Sequence, residues 1–291
     1  MVAFLFPGQG AQSAGMGADL FAHPAGQEVL AQARELGWAR PVPELSEEEL
    51  ARTAVVQPAL FLVEWAAFLV LRERAEPGAV AGHSLGEFAA LAAAGVLAWP
   101  EAFRLVRLRG ELMEEAAQAH PGGMVAALGL PPAEVERIAQ ETGCFVANYN
   151  APTQVVLAGG EESLAWAEAR IRERGGKAVR LGVAGAFHSP FMAEAARRFA
   201  QALDETPFRL PLRHFVSSAT GSVESHPERI REILKGQMVQ PVRWQAAVET
   251  LAALGVEEAW EAGPGEVLTR LGRRITERIR FRTLKEVWAH V

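Results

Sequence analysis

The sequence predicts an α/β protein built on a parallel sheet, with a smaller unit inserted into it. Three observations support this prediction. Short apolar strands alternate with helical segments in the first third of the chain and again in the last third, an order typical of parallel sheets. Residues 122–186 show a different order, β-α-β-β-α-β. The length of 291 residues is enough for one large domain or two smaller ones.

The first part of the chain begins with a strand that ends at Pro7-Gly8. Helical periodicity and apolar runs then alternate. We expect Pro58 to be the first residue of a buried helix, because proline fits the first turn. The predicted elements are strands 2–6 and 79–82 and helices 25–36, 59–74, 87–95 and 100–117.

The middle of the chain predicts a unit of about 65 residues that follows the glycines at 122 and 123. Its order of elements is that of ferredoxin-like domains. We therefore expect a small subdomain at 122–186, inserted into a discontinuous large one at 1–121 and 187–291. The predicted elements are strands 124–130, 144–149, 154–158 and 177–183 and helices 132–142 and 161–174.

The last part returns to the alternating pattern and ends in a segment rich in arginine. A turn at Gly263-Pro264-Gly265 separates its last strand from its last helix. The predicted elements are helices 190–204, 227–235, 244–254 and 266–280 and strands 214–218 and 256–261.

Composition excludes several classes of protein. The net charge is −6, whereas a nucleic-acid-binding protein needs a basic face. A single cysteine, Cys144, excludes a disulfide framework and a cysteine-rich metal site, and it favours a reducing compartment. The longest apolar run, 54–71, is interrupted by Pro58, so its helical part is expected to be too short for a membrane span. We expect a cytoplasmic protein without membrane or nucleic-acid partners.

The strongest motif is Gly82-His83-Ser84-Leu85-Gly86, between a predicted strand and a predicted helix. This is the G-x-S-x-G pattern of a nucleophile elbow, in which a sharp turn exposes the serine oxygen. The alternative is a helix cap, since Ser84 followed by Glu87 matches a capping box. A cap does not require glycines on both sides of the serine, so the motif favours a nucleophile.

A nucleophilic serine requires a general base, and His188 is the best-placed histidine. It lies where a predicted strand gives way to a helix, whereas His83 is expected to pack or bond locally. His120, His226 and His290 have the character of surface positions. No aspartate occurs between Ser84 and His188, so the expected site is a Ser–His dyad whose imidazole is oriented by another group.

Two further segments have open alternatives. Segment 6–10 is a glycine turn at the carboxyl end of the first strand, where a ligand or a second oxyanion N–H group is expected. The competing interpretation, a dinucleotide-binding fingerprint, would require glycine at position 13, where the chain has Ser13. Arg109 precedes Gly110 on a predicted helix, and a glycine there suggests a close neighbour. Arg109 is suited either to bind a substrate carboxylate or to form a surface ion pair with Glu111 or Glu114.

Taken in order, these motifs resemble those of malonyl-CoA:acyl carrier protein transacylases, and the resemblance covers essentially the whole chain. That family has an α/β-hydrolase-like large subdomain with an inserted ferredoxin-like one. The motifs are Phe6–Gly10, Gly82–Glu87, Arg109-Gly110, Asn148–Pro152, Ala186–Ser189, Gln237–Val242 and Gly263–Gly265.

The resemblance implies a role for each matched position. Ser84 corresponds to the acyl-accepting serine and His188 to its base, oriented by the main-chain carbonyl of Gln237. Arg109 corresponds to the arginine that binds the malonyl carboxylate, which is the first of its two open alternatives. The other implied positions are the oxyanion N–H groups of Gln9 and Leu85 and the pocket-lining Met113, Asn150 and Phe187.

The implied reaction is a ping-pong transfer of malonyl from malonyl-CoA to acyl carrier protein in fatty acid synthesis, with no metal or bound cofactor. A serine thioesterase, a transferase for methylmalonyl or longer acyl groups, and a carrier-binding scaffold are the alternatives; Phe187 favours malonyl. Two arginine groups are candidate carrier-docking patches. They are the C-terminal patch, Arg270, Arg273, Arg274, Arg278, Arg280 and Arg282, and the pair Arg197 and Arg198.

Overall fold

The structure is a computed structural model that describes residues 1–288. Its ten strands form two separate sheets within that range. The strands are β1 (Val2–Phe6), β2 (Ala79–Gly82), β3 (Gly123–Leu128), β4 (Phe145–Ala151), β5 (Gln154–Gly159), β6 (Lys177–Arg180), β7 (His214–Val216), β8 (Val223–Glu224), β9 (Glu258–Glu261) and β10 (Arg280–Thr283).

Helices cover both sheets. They are α1 (Ala18–Ala22), α2 (Pro24–Glu35), α3 (Glu47–Leu50), α4 (Thr53–Arg72), α5 (Gly86–Ala93), α6 (Trp99–Ala119), α7 (Pro132–Thr142), α8 (Glu161–Glu173), α9 (Ala193–Glu205), α10 (Pro227–Gly236), α11 (Trp244–Ala253), α12 (Val267–Ile275) and α13 (Leu284–Trp288).

The larger sheet has the order β10-β9-β1-β2-β7-β8, and its strands are parallel except for β8. Successive residues of β1 point to opposite faces of the sheet. Phe4 and Phe6 join the core beneath α4, α5 and α6, whereas Ala3 and Leu5 pack towards α11 and α12. The central strands are therefore apolar on both faces, as the sequence predicts for a parallel sheet covered by helices on both sides.

The smaller sheet has the order β4-β5-β3-β6 and is antiparallel throughout. On one face, Val125 and Leu157 pack with α7 and α8 in a separate core. On the other face, Ala126 and Val156 belong to the core of the larger sheet. The smaller sheet therefore packs directly against the rest of the protein.

One predicted helix start is wrong. Pro58 lies inside α4, which begins at Thr53 rather than at the proline. An interior proline costs about 3 kcal/mol, and burial of the flanking residues Val56 and Leu60, both 0% exposed, offsets that cost. At 20 residues, α4 is long and apolar enough to cross a membrane, contrary to the length we expected, but 83% of its most apolar stretch is buried inside the protein.

The predicted C-terminal helix 266–280 is also wrong in its second half. Helix α12 ends at Ile275, and Arg280–Thr283 form the edge strand β10 of the larger sheet. Phe281 is buried against Gly272, where a Cβ atom would lie 2.2 Å from the ring. The strand depends on pairing with β9, a contact that helical periodicity along the chain does not reveal.

Candidate active site

Ser84 occupies a strained turn between β2 and α5. Among residues 1–288, only Ser84 and His188 have positive φ angles without being glycine, at 53° and 56°. Such a conformation costs about 1–3 kcal/mol and is concentrated at functional sites. Both members of the predicted dyad are therefore held in strained backbone by the surrounding fold.

The glycines of the elbow are required by close approach of the backbone. A Cβ atom on Gly82 would lie 2.0 Å from the carbonyl oxygen of Gly86, and one on Gly86 would lie 2.1 Å from the carbonyl oxygen of Phe6. The capping-box alternative is wrong, because the residue that caps α5 is Leu85, without a side-chain hydrogen bond. The turn packs against the end of β1. Because the Ser84 hydroxyl does not cap α5, it is available to other partners.

The Ser84 hydroxyl lies 2.7 Å from His188 Nε2. On the other side of the ring, His188 Nδ1 lies 3.0 Å and 3.1 Å from the main-chain carbonyl oxygens of Gln237 and Gln240. Because these carbonyls only accept, Nδ1 carries the proton and Nε2 is free to accept the serine proton. Burial, reinforced by the nearby Arg109 charge, lowers the pKa of His188 to about 3, so the imidazole is neutral.

Arg109 is buried beside the dyad, with 1% of its surface exposed. Its Nη1 donates to Gln57 Oε1 at 2.7 Å, and Nη2 donates to Ser84 Oγ at 3.2 Å and Gln237 Oε1 at 3.1 Å. Burial lowers its pKa to about 10, so it stays charged at neutral pH. In the part of the chain that the structure describes, Arg109 forms no ion pair, and its Nε has no partner. The arginine is available to an incoming carboxylate.

The alternative of a surface ion pair for Arg109 is wrong. Glu114 pairs instead with Arg52, at 3.1 Å. The expected close approach at Gly110 is present, because a Cβ atom there would lie 2.9 Å from the carbonyl oxygen of Thr53. Helix α4 therefore approaches α6 closely enough for the side chain of Gln57 to reach Arg109.

Gln57 is a site residue that the motifs did not identify. It is 1% exposed and also donates to Thr53 Oγ1 at 3.0 Å, and that hydroxyl donates to Gln9 Oε1 at 2.8 Å. These hydrogen bonds link Gln9, a predicted oxyanion residue, to Arg109. The available signal in the sequence was a polar residue within the apolar run 54–71.

The predicted oxyanion donors, Gln9 and Leu85, line the same cavity as Ser84. Over residues 1–288, the backbone N–H groups of Gln9 and Leu85 have no hydrogen-bond partner. Two free N–H groups, one from the turn after β1 and one from the start of α5, are suited to bind a developing negative charge.

The site opens into a cavity of about 440 Å³ between the two sheets. Every predicted site residue except Gln237 lines it, and Gln237 lies behind Arg109 and His188. Within residues 1–288, no group of three or more His, Cys, Asp or Glu side chains could hold a metal ion. The predicted lining residues are Gln9, Ser84, Leu85, Arg109, Met113, Asn150, Phe187 and His188.

The histidines outside the dyad have different environments. The sequence predicts that His83 packs or bonds locally, and its ring does pack against Trp244, with ring centroids 5.6 Å apart. The sequence did not indicate its distant partner, Oδ1 of Asn150 on the smaller sheet, 2.9 Å from His83 Nε2. Burial lowers the pKa of His83, which favours its neutral form. His120 and His226 are exposed, as predicted, and His290 lies outside the described residues.

The two candidate docking patches differ in their relation to the cavity. Arg270 and Arg274 line the cavity, and Arg274 also donates to Gln154 Oε1 at 2.6 Å. Arg273 also lies on α12, whereas Arg278 follows the helix and Arg280 and Arg282 lie on β10, so the C-terminal patch does not run along one helix. Arg197 and Arg198 lie on α9, where each is paired with a glutamate.

Residues 3–279 match the family model described as the acyl transferase domain. The chain belongs to the acyl transferase family. It is 38% identical over 296 residues to the malonyl CoA-acyl carrier protein transacylase of Escherichia coli K12, covering 98% of this chain and 96% of the relative.

Solved structures of related proteins share the fold. The malonyl-CoA:acyl carrier protein transacylase of Xanthomonas oryzae pv. oryzae superposes with a TM-score of 0.91 at 38% identity, covering 97% of this chain and 94% of that chain. A malonyl-transacylase in complex with its type II polyketide acyl-carrier protein gives a TM-score of 0.91 at 37% identity, covering 97% and 95%. The mixed α/β architecture with its parallel sheet is thus that of this family.

Proposed function

We propose that the protein is a malonyl-CoA:acyl carrier protein S-malonyltransferase that supplies fatty acid synthesis. The observation that carries the proposal is the buried guanidinium of Arg109, 3.2 Å from the Ser84 hydroxyl, whose described partners are neutral oxygens. A malonyl group esterified to Ser84 carries its carboxylate only two carbons from the serine oxygen. Arg109 is therefore within reach of that carboxylate, and an acetyl group offers no equivalent charge.

In the first half-reaction, His188 Nε2 accepts the proton of the Ser84 hydroxyl, and the oxygen attacks the thioester carbon of malonyl-CoA. The N–H groups of Gln9 and Leu85 bind the oxyanion of the tetrahedral intermediate. When the intermediate collapses, the C–S bond breaks and His188 returns the proton to the CoA thiolate. The product is a malonyl-serine ester.

In the second half-reaction, the phosphopantetheine thiol of acyl carrier protein enters the same cavity. His188 accepts the thiol proton, and the sulfur attacks the ester carbon of malonyl-serine. Collapse breaks the bond to the serine oxygen, and His188 returns the proton to Ser84. Nucleophile, base and oxyanion donors all come from the chain, so this mechanism calls for no metal or bound cofactor.

We assign the catalytic machinery to a discontinuous α/β-hydrolase-like subdomain, 1–121 and 187–291, with a ferredoxin-like subdomain at 122–186. The six-stranded sheet, parallel except for β8, supports the first assignment. The antiparallel sheet β4-β5-β3-β6, formed by a β-α-β-β-α-β segment, supports the second. In this arrangement the small subdomain contributes Asn150 to one wall of the pocket. We propose a cytoplasmic location, which is consistent with the single free cysteine, Cys144.

Mass spectrometry of the protein after incubation with malonyl-CoA tests the nucleophile and the substrate together. We expect one malonyl adduct, on Ser84, that disappears when phosphopantetheinylated acyl carrier protein is added. Ser84→Ala is expected to form no adduct, and His188→Ala to slow acylation by about 10²–10⁴-fold, the usual contribution of a general base. The exposed Ser222 provides a control substitution, Ser222→Ala, which should acylate normally.

The same experiment separates the alternatives. A thioesterase would release free malonate to water instead of passing it to the carrier. A transferase for methylmalonyl would acylate faster with that thioester, although the bulk of Phe187 in the cavity favours malonyl. A scaffold protein would form no adduct at all, and an adduct retained by Ser84→Ala would refute the assignment of the nucleophile.

A further inference from the structure

Glu87 is a fully buried carboxylate that the proposed reaction steps do not use. It lies in the first turn of α5, with 0% of its surface exposed. Its Oε1 accepts from the Ser218 backbone N–H at 3.1 Å and from the Ser217 hydroxyl. Its Oε2 accepts from Gln237 Nε2 at 2.5 Å. Burial raises the pKa of Glu87, and the hydrogen bonds from Ser217, Gln237 and Ser218 oppose that shift. Because obligatory N–H donors face both oxygens, these bonds favour the ionised form of Glu87.

The side chain of Gln237 connects Glu87 to the site. Its Nε2 also donates to the main-chain oxygen of Ser84 at 3.0 Å, and its Oε1 accepts from Arg109 Nη2 at 3.1 Å. The orientation of this amide is therefore determined at both ends. Its nitrogen faces two acceptors and its oxygen faces a cationic donor.

We propose that Glu87 is a positioning residue for the malonyl carboxylate, and that it acts on Arg109 through the side-chain amide of Gln237. A carboxylate at position 87 only accepts, so it holds Gln237 Nε2 towards itself and Gln237 Oε1 towards the guanidinium. The inference rests on the proposed malonyl transfer, because the guanidinium it positions is the one assigned to the acyl carboxylate. It gives Gln237 a second task, beyond the main-chain carbonyl that orients His188.

The negative charge of Glu87 also favours the charged form of Arg109. Burial disfavours the charged form of Arg109, and the negative charge of Glu87 partly opposes that effect on the pKa of the arginine. Glu87 is separated from Arg109 by one amide, so it stabilises the guanidinium without occupying the donors needed by a substrate. A direct ion pair would leave fewer donors for the malonyl group.

Glu87→Gln perturbs this arrangement while preserving the size of the side chain. If its amide oxygen faces Ser218 N–H, its NH₂ group meets the NH₂ group of Gln237, and two donors then oppose each other. Gln237 relieves the conflict by rotating its amide, which turns Nε2 towards Arg109 and breaks the bond to the guanidinium. Gln237→Met removes the amide directly and keeps the main-chain carbonyl that accepts from His188.

The experiment measures kcat/KM for malonyl-CoA and acetyl-CoA in wild type, Glu87→Gln, Gln237→Met and the double variant. Each single substitution is expected to lower malonyl transfer by about 10- to 100-fold, the range for a hydrogen bond to a charged group. Acetyl transfer should fall by less than malonyl transfer, so the malonyl-to-acetyl ratio of kcat/KM drops in each variant. The double variant should be no slower than the slower single variant, because both act on one connection.

Glu64→Gln is the matched control. Glu64 is equally buried, on α4, and its carboxylate oxygens have no hydrogen-bond partner in residues 1–288. Burial raises its pKa well above the usual value, which favours the neutral acid, and glutamine matches that form in size. This variant should retain the wild-type preference for malonyl over acetyl.

The proposal would be overturned if Glu87→Gln slowed malonyl and acetyl transfer equally, or if the effects of the two substitutions were additive in the double variant. Glu87 would then only stabilise the segment at Ser217 and Ser218. If Glu87→Gln does not fold, Gln237→Met tests the proposal by itself. An unchanged preference for malonyl over acetyl in that variant would contradict the proposed action of Gln237 on Arg109. Failure of the proposed function has a different signature. Wild type itself would then fail to prefer malonyl or to transfer it.

Discussion

Replacing Arg109 by alanine is expected to abolish the preference for malonyl over acetyl thioesters. The wild-type guanidinium is 1% exposed, and its described hydrogen-bond partners are the neutral oxygens of Gln57, Ser84 and Gln237. A malonyl carboxylate would therefore meet a buried cation without a competing anion in contact. In Arg109→Ala the same carboxylate would be buried without a partner.

The size of the effect follows from the burial. Leaving one partner of a buried ion pair without the other costs about 3–5 kcal/mol. Since each 1.36 kcal/mol corresponds to a factor of ten, malonyl transfer should fall by about 150- to 5,000-fold. Acetyl transfer carries no charge to the site and should fall by less than about tenfold, through the loss of the bond to Ser84 Oγ.

The assay is kcat/KM for both thioesters in wild type, Arg109→Ala and Arg109→Lys, with the melting temperature of each as a control for folding. Arg109→Lys should recover only part of the malonyl rate, because an ammonium group lacks the planar fork that reaches Gln57 and Gln237 together. If Arg109→Ala slowed malonyl and acetyl transfer equally in a folded protein, the arginine would be structural. Its charge would then not explain a preference for malonyl.

Three further predictions concern pH, backbone packing and carrier docking. Burial and the Arg109 charge lower the pKa of His188 from 6.5 to about 3, so the rate of acylation should stay level from pH 7 down to about pH 4. As the pH falls, the imidazole of position 188 is protonated in the unfolded chain before it is protonated in the folded protein. The free energy of unfolding should therefore decrease as the pH drops from 6.5 towards 3, and less steeply in His188→Gln. Gly86→Ala would place a Cβ atom 2.1 Å from the Phe6 carbonyl and should lower both activity and melting temperature, whereas Gly160→Ala, with open space, should lower neither. Arg274→Glu at the cavity should raise the KM for acyl carrier protein several-fold and Arg197→Glu should not; unchanged KM values in both would rule out both patches as docking sites.

Local patterns predicted most of the elements, because their determinants lie close together in the chain. Apolar runs and turn residues gave the central strands β1 and β2, and helical periodicity gave α7 over the residues observed, Pro132–Thr142. The predictions failed where a distant partner decides the structure. Strand β10 requires β9, and α4 continues through Pro58 because the surrounding core buries it.

The sequence by itself determined the chemical groups of the site: a serine between glycines, a histidine at a loop after a strand, and an arginine before a helical glycine. Only the tertiary structure decided how these groups act on each other, because they are separated by tens of residues and meet through packing of different elements. The 2.7 Å contact of Ser84 with His188, the bonds from Gln57 and Gln237 to Arg109, and the buried carboxylate of Glu87 have no counterpart in local sequence. Burial also decides the protonation states, since the pKa values of His188 and Arg109 depend on the water and charges that the fold removes or brings near.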